Sequence, residues 1–158
     1  LNSTVDDVVQ MADDSKSCNA GIYASVRKTN AVRIKITQMN IPFDPKTIVD
    51  FAKTDHLVWA MRIHQMVWGN IELKSADVAS HADCRLGKWY SGDGAAKYSH
   101  LSEYQRLGSI HEQFHKLCAT TIDAHYAHRA QEVEDNLGEI DRLSREVLDC
   151  LNAIQRHM

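Results

Sequence analysis

Apolar residues recur at helical spacing along most of the chain. Over residues 46–73, Ile48, Val49, Ala52, Val58, Trp59, Ile63, Met66 and Val67 fall on one face of an amphipathic helix. Residues 99–125 repeat the pattern through Leu101, Tyr104, Leu107, Ile110, Phe114, Leu117 and Ile122. The last segment carries Val133, Leu137, Ile140, Leu143, Val147, Leu151 and Ile154, with charges elsewhere; this stripe suits either a bundle or a coiled-coil seam to a second chain. Upstream, Val5, Val8, Met11, Ile22, Val26, Ile34 and Ile36 give a looser pattern, interrupted around Ser17 to Gly21. Residues 1–40 therefore read as one long or two shorter helices. No strand-like alternation of useful length occurs, and the predicted class is all-α.

Two prolines punctuate this pattern, both within Ile41-Pro42-Phe43-Asp44-Pro45. Proline disfavours helix at its own position and at the residue before it, so a helix is expected to end near Asn40. Asp44 can cap the next helix, with Pro45 in its first turn. The chain thus divides into an N-terminal helical segment or linker, 1–45, and a bundle domain, 46–158. Between 74 and 98 the periodicity loosens and Gly87, Gly92 and Gly94 appear. A short helix leading to Cys84 and then a loop are expected there.

Composition narrows the function classes. With 158 residues the chain is too short for two ordinary domains, and 44% hydrophobic with 25% charged residues is a globular balance. The net charge of −3 argues against a nucleic-acid partner, and the basic group Arg27, Lys28, Arg33 and Lys35 reads as a solvated helix face. No apolar run approaches the roughly 18–20 residues that span a bilayer, and nothing resembles a signal peptide. The start at Leu1 suggests a segment of a longer protein. Cys18, Cys84, Cys118 and Cys150 are widely spaced with no CxxC pair, which suits reduced thiols in the cytoplasm. Nine histidines are an excess that first points to metal.

The strongest local signal is His111-Glu-Gln-Phe-His115. Histidines at i and i+4 share one helix face, where both imidazoles can meet one ion, although that spacing alone does not establish a site. Glu112 completes a literal His-Glu-x-x-His, so a zinc hydrolase using Glu112 as general base is one alternative. Against it stands the absence of the strands that surround such a site in a zinc protease. Cys84-Arg-Leu-Gly-Lys-Trp89 and Asp55-His56-Leu-Val-Trp59 add a cysteine and a third histidine. Alone, Cys84 reads as a buried thiol and His56 as a surface histidine.

Taken together, and in this order, a histidine with tryptophan at +3, then Cys-x-x-Gly-x-Trp, then His-x-x-x-His resembles the CZB family, the chemoreceptor zinc-binding domain. The similarity covers roughly residues 48–125. It implies a bundle of about four helices around one zinc ion, here with an additional N-terminal segment, and a ligand set of His56, Cys84, His111 and His115. It also implies a non-enzymatic regulatory domain, commonly a homodimer. Such a domain senses zinc or hypochlorous acid through the ligand cysteine, and it acts on chemotaxis proteins or a cyclic-di-GMP cyclase domain outside this chain. An aspartate is associated with the cysteine's redox switching; Asp55 matches best, and Asp83 also adjoins a ligand. A purely structural zinc site in a helical dimer is the other alternative. Four protein ligands fill the tetrahedral shell of zinc and leave no position for a catalytic water.

The other candidates have plainer readings. His81 is the best rival ligand, three residues before Cys84. His125 and His128 read as a solvated helix end rather than a second metal site, and His64, His100 and His157 have no evident partners. Cys118 reads as core-packed. Cys18 and Cys150 carry no assignable function, and Trp68, like Trp59 and Trp89, reads as packing.

Overall fold

The computed structural model describes residues 2–38 and 43–158, and every described element is helical. The order is α1 (Asn2–Gln38), α2 (Pro45–Val67), a 3-10 turn (Ser75–Asp77), α3 (Arg85–Trp89), a π turn (Tyr90–Gly94), α4 (Ala95–Tyr98), α5 (Ser102–Tyr126) and α6 (Ala130–Gln155). The all-α reading holds. Of the two options for the N-terminal segment, the single long helix is found: α1 runs unbroken through Ser17–Gly21. The expected helix end near Asn40 lies outside the described residues.

The entry to α2 follows from its sequence. Asp44 is extended (φ −66°, ψ 155°) and its Oδ1 accepts the Thr47 backbone N–H at 3.0 Å, with Pro45 in the first turn, where no N–H is needed. The exit differs from the expected end at residue 73. Gly69 adopts φ +74°, and the Gly69 and Asn70 N–H groups bond back to the Met66 and Gln65 carbonyls. A left-handed residue of this kind satisfies the terminal carbonyls of a helix and stops it, which is why α2 ends at Val67 despite apolar residues beyond.

Helices α5 and α6 form an antiparallel pair, and α2 packs against both. The apolar stripe of α6 is spent within the chain: Val133, Ile140, Leu143, Val147, Leu151 and Ile154 are all buried. From Ile140 onward they meet Leu107, Ile110, Phe114, Cys118 and Ile122 of α5 and Val49, Ala52, Ile63 and Met66 of α2 in one core. Each fully buried large side chain contributes roughly 1.5–3 kcal/mol. The hairpin between α5 and α6 closes through His128, at φ 56°, with Arg129 N–H bonded to the Ala124 carbonyl at 3.0 Å.

The 74–98 segment is more helical than its composition suggests. Cys84 does not follow a helix; it begins one, as the N-cap of α3. Beyond it the chain continues in helical turns to Tyr98, deflected at Gly92 (φ −106°, ψ −111°). Tyr90 stacks on Tyr104 of α5 with ring centroids 4.2 Å apart, and the Tyr104 hydroxyl donates to the Tyr90 carbonyl, so this segment is moored to the bundle. Helix α1 meets α2 near Asn19, whose carbonyl accepts from Gln65 Nε2 at 3.5 Å, and Tyr23 is buried.

Candidate metal centre

Three elements converge on one point in the core. Helix α2 supplies His56, helix α5 supplies His111 and His115 one turn apart, and the N-cap of α3 supplies Cys84. One ligand-capable atom from each of the four lies within 4.8 Å of all the others. It is the one such cluster of histidine, cysteine and acidic residues among the described residues.

Each side chain is aimed by a local cause. His56 Nδ1 donates to the Ala52 carbonyl one turn earlier at 2.7 Å, and His115 Nδ1 donates to the Ala79 carbonyl at 2.8 Å. Donation from Nδ1 sets the tautomer in which Nε2 carries a lone pair. Both Nε2 atoms are buried with no hydrogen-bond partner. Two orphaned acceptors in a core would be costly unless a cation or donor met them. Cys84 Sγ lies 3.2 Å from His111 Nε2 and accepts the Gly87 N–H at 3.4 Å, an interaction that favours its thiolate form.

Gly87 is required at its place. A Cβ there would stand 1.9 Å from the His81 carbonyl oxygen and 2.7 Å from that of Ala82, so only glycine lets the 81–82 backbone press against the first turn of α3. Trp89, two residues on, is buried and stacks on Tyr98, holding the short helix against the core. These two roles account for the glycine and tryptophan that follow the cysteine at fixed spacing.

The electrostatics favour neutral histidines. Burial pulls His56 down to about 4 and His111 to about 2, the latter helped by the neighbouring His56, His115 and His81, and burial also lowers His115. Neutral imidazole is the form that ligates a metal. Without a cation, burial pushes the Cys84 thiol above its ordinary value. A divalent cation among these atoms would reverse that direction, because it binds the thiolate outright.

The donor set fits zinc. Three imidazole nitrogens and one thiolate match its tetrahedral preference, for which bonds of about 2.0–2.3 Å put ligand atoms roughly 3.3–3.6 Å apart. The Cys84–His111 distance of 3.2 Å is close to that already.

The remaining candidates fall elsewhere. Asp55 precedes His56 and pairs with Arg85, the residue after Cys84, at 3.4 Å, tying α2 to the start of α3; Asp83 is exposed on the turn. Glu112 is exposed on α5, about 100° round the helix from its buried neighbour His111. His125 and His128 bring no described metal cluster together, and His128 serves instead as the left-handed residue closing the hairpin. Cys118 is fully buried, its thiol pushed to about 12, while Cys150 is buried and Cys18 exposed; all four cysteines are free. His64, for which no partner was evident, meets Asp141 of α6 at 3.0 Å. That contact joins residues far apart in sequence, and no spacing signal could have revealed it.

Comparison with known families bears on this same stretch. The family model of the chemoreceptor zinc-binding domain, CZB, matches residues 56–122, the segment that begins at His56 and includes Cys84, His111 and His115. No match emerged among curated proteins or among solved structures.

Proposed function

We propose that this chain, whose residues 56–122 belong to the CZB domain family, is a regulatory zinc-binding sensory module that holds one zinc through His56, Cys84, His111 and His115. The observation that carries the reading is the convergence of four ligand atoms within 4.8 Å, two of them buried histidine nitrogens with no other partner. Bound zinc supplies a strong local positive charge that keeps the ligand cysteine ionised. Every other feature belongs to the chain's own residues.

Four protein ligands complete the shell, so no position remains for a substrate-activating water, and the module regulates rather than catalyses. The exposed position of Glu112 supports this over the hydrolase alternative. Cys84 is the one oxidisable ligand. As a thiolate it reacts with hypochlorous acid: an S–O bond forms, the O–Cl bond breaks, chloride leaves, and the sulfur becomes a sulfenic acid. Cys84 then ligates more weakly, and α3, which starts at Cys84, is free to shift against α2 and α5. Asp55 is placed to take part, since its pairing with Arg85 spans the junction that would move. A homodimer acting on chemotaxis proteins or on a cyclase domain, in the cytoplasm, completes the reading. Among the described residues no helix is long and apolar enough to cross a membrane.

Metal analysis of the purified chain, wild type against Cys84→Ser and His115→Ala, tests the site. One zinc per chain, weakened in both variants, is expected; full occupancy in both would sink the assignment. Sensor and structural staple separate on a second measurement. Oxidation of Cys84 by hypochlorous acid is expected to lower zinc affinity, whereas affinity indifferent to oxidant leaves only a staple.

A further inference from the structure

One imidazole at the centre lies outside the four-residue set. His81 sits on the turn just before Cys84, half-buried, with its ring centroid 6.1 Å from that of His111. Two members of the set, His56 and His115, are 5.7 Å apart by the same measure. His81 also stands close enough that its charge would act on both His111 and His115.

The turn holding it is fixed in backbone and loose in this side chain. On one side the Ala79 carbonyl accepts from His115; on the other, the Asp83 and Cys84 N–H groups bond to the Ser80 carbonyl at 3.1 and 3.2 Å. The His81 carbonyl accepts from Cys84 Sγ at 3.4 Å and is wedged over Gly87. Among the described residues, no hydrogen bond holds the His81 ring. Rotation about its two side-chain torsions therefore moves the imidazole without disturbing the fixed backbone.

We propose that His81 is a reserve ligand, which takes the coordination position of Cys84 when that thiolate is lost and completes a four-histidine set with His56, His111 and His115. This rests on the reading that those residues hold zinc. Imidazole is a good zinc ligand, and a neutral one in place of a thiolate leaves the site more positive and binding weaker, but not abolished. Oxidation by one equivalent of hypochlorous acid, balanced as above, thereby converts the site from a thiolate-ligated to an all-imidazole form. The output is an α3 released at its N-cap, Cys84, while the turn's backbone and the ion are retained. The turn carries both ligands three residues apart, so exchanging one for the other turns a chemical event at sulfur into a movement of α3.

The test is metal binding by the full chain in four forms: wild type, His81→Ala, Cys84→Ala and the double variant, each checked for helicity. Competition with a chelating dye gives zinc affinity, and cobalt in place of zinc gives the coordination number and the presence of sulfur from visible spectra. His81→Ala alone is expected to change affinity less than threefold. Cys84→Ala should bind one metal about 10–100-fold more weakly, losing the sulfur charge-transfer band and keeping the strong visible bands of a four-coordinate ion. Adding His81→Ala to it should cost a further tenfold or more and shift those bands, as a water takes the fourth position beside the three remaining histidines. An equal effect of His81→Ala in both backgrounds, or a Cys84→Ala protein without four-coordinate cobalt, overturns the proposal. Should Cys84→Ala unfold, the oxidant itself replaces the mutation: after one equivalent of hypochlorous acid, His81→Ala should release several-fold more zinc than wild type, and equal release overturns the idea. A wild type that binds no metal defeats the zinc reading itself; a wild type that binds while His81 proves irrelevant defeats the reserve ligand alone.

Discussion

The two halves of the candidate metal centre are built on different principles. His111 and His115 stand on the 25-residue helix α5, whose backbone ladder and contact with α6 fix them before any ion arrives. Cys84 and His81 stand on a turn and a five-residue helix, too short to be stable alone and held by a few tertiary contacts: the stacked Trp89, the Tyr90–Tyr104 pair and the glycine against the 81–82 carbonyls. The rigid half sets where a metal can bind. The yielding half carries the thiol, and the sensory role proposed above needs that pairing, because a centre rigid throughout could bind zinc but could not report the state of its cysteine.

The sharpest way to break this comparison is to damage the rigid half. His111→Ala removes a proposed ligand on α5 that no neighbour on that helix can replace, and zinc affinity is expected to fall by about a thousandfold or more, measured by dye competition. A loss no larger than that of Cys84→Ala would erase the distinction between the halves. Next comes the mooring of the yielding half. In Gly87→Ala a Cβ would meet backbone oxygen at 1.9 Å, so a loss of about 1–3 kcal/mol in unfolding free energy, read from the denaturation midpoint, is expected, with weakened zinc binding. If zinc affinity survives while stability drops, the turn is positioned by something other than this contact.

The buried histidines predict a pH dependence of the metal-free chain. Their pKa values in the fold lie below the ordinary 6.5, at about 4 for His56 and about 2 for His111, because burial favours the neutral form. The unfolded chain therefore binds more protons over this range. This contribution to stability is complete above pH 6.5 and is lost as the pH falls toward and through the folded values. Urea midpoints of chelator-treated protein should fall from pH 7.5 to 5; a midpoint that rises on acidification would contradict the burial. The smallest effect is expected from Glu112→Gln. With its side chain exposed, zinc affinity should stay within twofold, and a larger change would mean that α5 feeds the site from its outer face as well.

Much of this was legible in the sequence for an identifiable reason. The stripes of α2, α5 and α6 follow from helical period, the start of α2 from Asp44 and Pro45, and the neighbouring of His111 and His115 from their i,i+4 spacing. These are local properties, written within one turn of helix. The end of α2 escaped because Gly69 overrides the apolar residues that follow, and the helical character of 85–98 escaped because glycine-rich composition masks turns stabilised by tertiary contact. The mooring of His64 to Asp141 had no local signal at all.

By itself, then, the sequence determined the helices, the supply of metal-ligating residue types and an ordered motif that resembles one family, whose model matches residues 56–122. Only the tertiary structure decided that a histidine of α2 and a cysteine at the start of α3 reach the α5 pair, that the tautomers of His56 and His115 are set by the Ala52 and Ala79 carbonyls, and that His81 stands beside them. The reason is physical. Periodicity encodes which face of an element is buried, whereas the meeting of four side chains from three elements depends on how those faces pack, and packing is a property of the whole core.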